Sequence, residues 1–189
     1  TIVIASAKAT VAFNKATGLL CQYAVDGKSM LGAGGTLKPN FWRAVTDNDM
    51  GAGLQNRLKA WHNPKMTLTA IAVEKIKESK GTAATVTARY DMPDVKAKLT
   101  LTYKVYGDGT IDVEQAMTKA TPDAKAPNLL RFGMVMDLPY NMDKSQWYGR
   151  GPIENYSDRK LSERIGLYSL TADQQYFPYI RPQECGTKS

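Results

Sequence analysis

The fold is decided by residues 98–117, KLTLTYKVYGDGTIDVEQAM. Polar and apolar residues alternate along the first half of this stretch, which is typical of a strand with one buried face. A Gly-containing turn at 107–109 separates it from a second alternating run, so the pair predicts a β-hairpin. The side chains expected to share one core are Leu99, Leu101, Tyr103, Val105, Ile111 and Val113.

The same alternation extends over most of the chain. Residues 84–90 alternate in the same way, 66–76 and 129–138 are predicted as further strands, and 11–25 as a hairpin. The one candidate helix is short and lies at 54–61. Strands at close intervals without intervening amphipathic helices predict an all-β fold, built as an antiparallel β-sandwich.

The composition fits an ordinary globular domain, and we expect residues 1–189 to form a single one. The formal net charge of +7 is spread along the chain without a run of like charges, so we expect no nucleic-acid partner. No apolar stretch is long enough to predict a membrane span. Cys21 and Cys185 provide neither a disulfide framework nor a metal-ligand spacing. The compartment, cytoplasm or periplasm, stays open.

Two stretches break the alternation, 40–64 and 147–189, and both are predicted to be dominated by loops. The first contains TDNDMGAG at 46–53, in which oxygen-bearing side chains precede glycine as in a calcium loop. The twelfth residue of such a loop must be Glu, and here it is Leu58, so an Asx-rich turn is the better interpretation.

The second stretch contains Gly149-Arg150-Gly151, which has the spacing of a dinucleotide-binding loop. The third glycine of that motif would fall at Glu154, and no helix is predicted after it. We therefore expect these glycines to serve tight turns or a close approach of the backbone.

Candidate groups for catalysis are few. Asp49, Glu154 and Glu184 lie in the predicted loops and are the carboxylates from which a glycosidase pair would be drawn. Glu154 is better explained as a structural carboxylate paired with Arg150 or Arg159. The single histidine, His62, makes a catalytic triad or a His-based metal site a poor hypothesis. Aromatic side chains of the second stretch suit either sugar stacking or core packing: Trp147, Tyr148, Tyr156, Tyr168, Tyr176, Phe177 and Tyr179.

Three blocks of sequence resemble the C-terminal domain of the β-galactosidases of glycoside hydrolase family 2. The first runs from Phe41-Trp42-Arg43-Ala44 into Thr46-Asp47-Asn48-Asp49. The second is Trp147-Tyr148-Gly149-Arg150-Gly151-Pro152-Ile153-Glu154-Asn155-Tyr156-Ser157-Asp158-Arg159. The third is Tyr176 followed by Pro178-Tyr179-Ile180-Arg181-Pro182-Gln183-Glu184. The blocks stand in the order of the family, so the resemblance covers nearly the whole chain.

The resemblance implies a galactose-mutarotase-like supersandwich at the end of a multidomain retaining β-galactosidase. It places the two catalytic glutamates, with the Mg²⁺ and Na⁺ sites, on a separate (β/α)8 barrel, so we expect neither catalytic residue nor cofactor in this chain. The barrel is then the partner of the chain, and the substrate of the parent is a β-galactoside. The family also supplies a Trp to its sugar site from beyond the third block, so the resemblance implies a domain truncated at its C-terminus.

Within the blocks, the resemblance assigns two kinds of role. The residues after the Asp-Asn-Asp segment, Met50, Gly51, Ala52 and Gly53, match a mobile loop beside the active site. Asp47, Asn48 and Asp49 complete this substrate-adjacent loop and are expected to anchor its base through side-chain bonds to backbone N–H groups. A structural role is expected for the other motif residues: Trp42, Arg43, Gly149, Arg150, Gly151, Pro152, Glu154, Asn155, Tyr156, Arg159, Pro182, Gln183 and Glu184.

Two alternatives remain open. The aromatic loops also suit a stand-alone carbohydrate-binding β-sandwich. Analogy of fold alone suggests an aldose epimerase, but the single His62 disfavours that chemistry.

Overall fold

The computed structural model describes residues 1–78 and 81–188, which divide into two compact units. The first unit comprises residues 1–43 and 58–139, and the second comprises 44–57 and 140–188. The expectation of one domain over residues 1–189 stays a prediction. No helix among the described residues is long and apolar enough to cross a membrane.

The fold is all-β and its sheets are antiparallel, as the alternation predicts. The strands are β1 (Ile2–Ala5), β2 (Ala9–Phe13), β3 (Leu20–Val25), β4 (Lys28–Ser29), β5 (Leu37–Asn40), β6 (Thr67–Glu78), β7 (Gly81–Met92), β8 (Ala97–Tyr106), β9 (Ile111–Lys119), β10 (Gly133–Met136), β11 (Lys144–Gly151) and β12 (Arg164–Thr171). The helices are α1 (Asp47–Gly51) and α2 (Leu54–Arg57), with short 3₁₀ helices at Lys59–Trp61, Pro93–Val95 and Asp173–Gln175.

The first unit is a sandwich of two sheets. One sheet has the order β1-β2-β3-β5-β10, with β4 paired to β3, and the other has the order β6-β7-β8-β9. Their inner faces meet in one core, where the ring of Phe13 on β2 lies 4.9 Å from that of Tyr103 on β8. Val11, Val86, Leu99 and Leu101 are also buried in this core.

The expected inward set of the hairpin is confirmed except at one position. Leu99, Leu101, Tyr103 and Val105 are buried, and Ile111 is partly buried against the same core. Val113 is wrong as a core residue, because 39% of it is exposed. It faces the same side as its cross-strand partner Tyr103, but β9 is the edge of its sheet and leaves it uncovered.

Other predicted elements differ in extent. The strand expected over 129–138 is limited to β10, Gly133–Met136. Loops are predicted to dominate the stretch 147–189, but it contains β12 and most of β11, which pair as a two-stranded sheet. The last residue of this stretch, Ser189, lies outside the described residues. The helix expected at 54–61 is α2 followed by the 3₁₀ turn at Lys59–Trp61.

Two buried tyrosines of the core differ in the hydrogen bonding of their hydroxyl groups. The hydroxyl of Tyr90 donates to the carbonyl of Thr17 at 2.9 Å, whereas the hydroxyl of Tyr103 has no partner among the described residues. Burial raises the pKa of both hydroxyls above the ordinary value of 10.0. The folded state therefore keeps both protons, and its stability is complete below about pH 10 and declines as the pH rises above it.

We predict opposite effects of removing these two hydroxyls. Tyr103→Phe should raise the free energy of unfolding by about 1 kcal/mol, because it removes a shielded polar group that nothing satisfies. Tyr90→Phe should lower it by about 1 kcal/mol, because the carbonyl of Thr17 loses its donor. Urea denaturation of both variants measures the difference, and an equal loss in both would contradict the assignment.

Candidate functional site

The second unit brings together the three sequence blocks, apart from Phe41, Trp42 and Arg43, which belong to the first unit. Phe41 is buried against Trp61, with ring centroids 5.3 Å apart. Trp42 contacts the exposed His62 edge-on at 5.2 Å, and Arg43 is half-buried. His62 therefore has a packing contact rather than a position in a catalytic cluster.

The segment 46–53 is a helical turn rather than the expected Asx-rich loop. Thr46 and Asp49 form a capping box, in which the Thr46 hydroxyl accepts from the Asp49 N–H at 3.3 Å and the Asp49 carboxylate accepts from the Thr46 N–H at 3.0 Å. Both residues are buried. The box starts helix α1, and the Thr-x-x-Asp pattern in the sequence is the signal that would have predicted it.

Asp47 links α1 to the third block. Its N–H donates to the carbonyl of Pro182 at 2.8 Å, and its carboxylate pairs with Arg181 at 3.2 Å. In an Asx-rich turn the side chains bond backbone N–H groups; the carboxylate of Asp49 does so, whereas that of Asp47 contacts Arg181 instead. Asn48 is exposed.

Beyond this anchor the segment has an open surface. Met50 is 38% exposed, and a methyl group placed on Gly51 would meet nothing within 4 Å. Gly51 belongs to α1, whereas Gly53 has a φ of +67°, a conformation that favours glycine. The two glycines therefore stand in different backbone conformations.

The second and third blocks meet around the buried carboxylate of Glu154. Tyr179 donates its hydroxyl to this carboxylate, and Arg159 lies 3.6 Å from it and donates to the same hydroxyl at 2.9 Å. Arg159 is thus the arginine partner expected for Glu154. Arg150 instead donates to the carbonyls of Lys160 and Glu163, at 3.2 and 3.3 Å.

Further contacts tie the third block to the second. The hydroxyl of Tyr156 donates to the carbonyl of Glu184, and the N–H of the fully buried Asn155 donates to the carbonyl of Thr187 at 2.9 Å. Burial raises the pKa of the Tyr156 hydroxyl, and the nearby carboxylates of Glu154 and Glu184 raise it further. Gln183 is exposed.

Lys188, Glu163 and Tyr179 belong to this cluster although the sequence analysis did not assign them to it. Lys188 lies over the ring of Trp147 at 4.7 Å and donates to the carbonyl of Pro152 at 3.3 Å. Burial lowers the pKa of its ammonium group, and the carboxylates of Glu154 and Glu163 oppose that shift. No spacing rule connects these residues, so only the folded structure identifies them.

Of the two glycines in the second block, Gly151 serves a close approach of aromatic rings, whereas Gly149 does not. A methyl group on Gly151 would lie 2.7 Å from Cδ2 of Tyr168, whose ring packs on Trp147 at 5.7 Å. Gly151 is joined to Pro152 by a cis peptide bond. The aromatic rings of β11 and β12 therefore take the space that a side chain at 151 would need.

The chain is therefore an all-β protein of two units. One is an antiparallel sandwich, and the other is a small unit in which motif residues from distant parts of the sequence meet. The family is established by comparison. The profile of the family described as "Beta galactosidase small chain" matches residues 5–189, and the chain belongs to that family.

Relatives with the name β-galactosidase cover most or all of the chain. The protein of Priestia megaterium is 32% identical over all of it, that of Vibrio cholerae is 31% identical over 93%, and that of Lactobacillus delbrueckii subsp. bulgaricus is 38% identical over 79%. The matched region is 18%, 18% and 14% of those proteins, respectively. The chain thus corresponds to a small part of each relative.

We predict that Gly151→Ala destabilises the chain while Gly149→Ala does not. A methyl group at 151 must displace the ring of Tyr168, and such overpacking costs about 1–3 kcal/mol. At 149 the nearest atom, on Trp147, would be 3.5 Å away, which is ordinary contact. Thermal unfolding of the two variants measures the difference, and equal melting temperatures would refute the role assigned to the close approach.

Proposed function

We propose that this chain is a non-catalytic, C-terminal domain of a retaining β-galactosidase, the parent, which hydrolyses terminal β-D-galactosides. The observation that carries the proposal is the family match over residues 5–189, joined with relatives of which the chain spans only about a fifth or less. The parent is accordingly a longer polypeptide. In this proposal its remaining part, including the barrel, is the partner of the chain.

The contacts of the candidate carboxylates support a non-catalytic role. Asp49 caps α1 and Glu154 is engaged by Tyr179 and Arg159, so each is occupied by a structural contact. A retaining glycosidase needs two carboxyl groups about 5–5.5 Å apart, one of them a free nucleophile. We assign both groups to the barrel of the parent.

The metal sites are assigned to the same place. No group of three or more His, Cys, Asp or Glu side chains within residues 1–78 and 81–188 is suited to hold a metal ion. Independently of that observation, the resemblance implies Mg²⁺ and Na⁺ sites on the barrel, and we propose them for the parent's other domains.

The segment Asp47–Gly53 is the part of the chain that we propose to contact the active site of the parent. It is fixed at Asp47 by Pro182 and Arg181, while Met50 and Gly51 present an open surface within the second unit. A segment anchored at one end and open at its tip suits a loop that closes over a neighbouring site. The left-handed Gly53 at its end suits a hinge.

The two glycines of this segment provide the test. Gly51→Ala favours the helical turn by about 1 kcal/mol, because alanine is the better helix former. Gly53→Ala disfavours the same conformation by about 1–2 kcal/mol, because alanine is strained at a positive φ. If the segment opens and closes during turnover, the two variants of the parent should shift kcat/KM in opposite directions, by about fivefold for Gly51→Ala and about five- to thirtyfold for Gly53→Ala.

Steady-state kinetics of the parent with a nitrophenyl galactoside measures both shifts. Asn56→Ala is the control, since this exposed side chain is on α2 and outside the segment Asp47–Gly53. Kinetic constants equal to those of the parent for both glycine variants would reduce the segment to a static turn.

A second candidate function is carbohydrate binding by the chain alone. A cavity of about 190 Å³ in the second unit is lined by Glu154, Gln174, Tyr176, Phe177 and Lys188, and both rings are largely exposed. Polar groups beside aromatic faces suit a sugar ring. Isothermal titration of the chain with galactose and lactose tests this function, and millimolar or tighter binding would favour it over the proposal above.

A further inference from the structure

The sandwich of the first unit is incompletely covered at β9. Val113 is 39% exposed although Tyr103, directly opposite it on β8, is fully buried. Gln115 is the second residue after Val113 on β9 and lies opposite the buried Leu101. The oxygen and nitrogen of its side chain are shielded from solvent and have no hydrogen-bond partner among the described residues. Shielded polar atoms without partners are rare in folded proteins, so a pair of them on the edge strand of a sheet calls for an explanation.

The facing sheet ends at β10, an edge that lacks the usual protection. Its sequence, GMVM, contains neither a charge nor a proline, the devices by which proteins guard an exposed strand. Apolar side chains before the strand and at its end are exposed. The exposed fraction is 44% for Leu129 and 46% for Phe132 before the strand, and 39% for Met136 and 47% for Leu138 at its end. Exposed apolar residues this dense mark an interaction surface.

A cavity lies between β9 and the segment that leads into β10. It measures about 340 Å³ and is lined by Met117 of β9, by Leu129 and Phe132, and by Trp61. Trp61 is 1% exposed, and its indole N–H has no acceptor among the described residues. The wall of the cavity is thus mostly apolar, with Thr118 and Lys119 as its polar members and the unsatisfied indole donor beside them.

The opposite side of the sandwich serves as a comparison. A cavity of about 350 Å³ also lies there, between β1 and the strands β6 to β8, and Val3 on β1 is 60% exposed. None of the described residues that line it carries a shielded polar atom without a partner. The β9–β10 side therefore combines apolar exposure with unsatisfied polar groups, and the β1 side does not.

We propose that the β9–β10 edge receives an apolar β-strand from the part of the parent polypeptide outside residues 1–189. The strand pairs with the free backbone edge of β10, covers Val113, Leu129 and Phe132, and brings an acceptor to the indole N–H of Trp61. Its source follows from length, since the relatives are several times longer than this chain. The inference rests on the proposed function in that the parent supplies the strand.

Hydrogen exchange provides the first test. Amide exchange of β10 is compared between the purified chain and the parent, with β1 as the internal reference. We expect exchange in β10 to be at least about 100-fold slower in the parent, because its outer amides become paired. Equal exchange in the two proteins would overturn the proposal, and so would protection in the purified chain that grows with concentration, because a second copy would then be the occupant.

Matched substitutions provide the second test. Leu129→Ser with Phe132→Ser should lower the melting temperature of the parent by at least about 3 °C more than that of the purified chain, which loses only the contact between Phe132 and Phe41 at 6.0 Å. Val3→Ser, at the other edge, is the control and should affect the two proteins equally. An equal effect of the double variant in both proteins would contradict the proposal. The exchange and melting measurements concern the first unit, whereas the kinetic test concerns Gly51 and Gly53 of the second. Either test can therefore fail while the other succeeds.

Discussion

The contact between the rings of Phe13 and Tyr103 joins the two sheets on which the first unit depends. It requires the inward faces of β2 and β8 to be apolar at the same level of the sandwich. Burial of such rings supplies most of the favourable free energy of a two-sheet core. The hydroxyl of Tyr103 finds no partner within residues 1–78 and 81–188, which is the cost of placing a tyrosine there, and Phe13 packs against its ring nonetheless.

The second unit depends on polar contacts instead. Its two-stranded sheet is too small to be stable by itself. The buried Glu154, with Tyr179 and Arg159, ties the second block to the third, and Asp47 ties α1 to the third block. These contacts join residues far apart in sequence and hold α1 at Asp47, while Met50 and Gly51 stay open. We propose that this open surface is the part of the segment Asp47–Gly53 that faces the active site of the parent.

The sheets were predictable from the sequence because alternation reports directly on which side of a strand is buried. The prediction that Val113 is a core residue was wrong because alternation gives the face on which a side chain lies and not the position of its strand in the sheet. The β11–β12 pair was missed because Gly149 and Gly151 interrupt the pattern, although Gly151 is there to admit the ring of Tyr168. In the site, Arg159 was predictable as a neighbour in sequence, whereas Tyr179 and Lys188 reach Glu154 and its surroundings only through the fold.

We propose that this chain contributes to β-galactoside hydrolysis only as part of a longer polypeptide. The decisive measurement is turnover of a nitrophenyl galactoside by the purified chain. We expect no hydrolysis above the uncatalysed rate from the chain alone, and turnover from the parent under the same conditions. Hydrolysis by the chain itself, lost in Glu154→Gln or Glu184→Gln, would show that the chain has a catalytic site of its own.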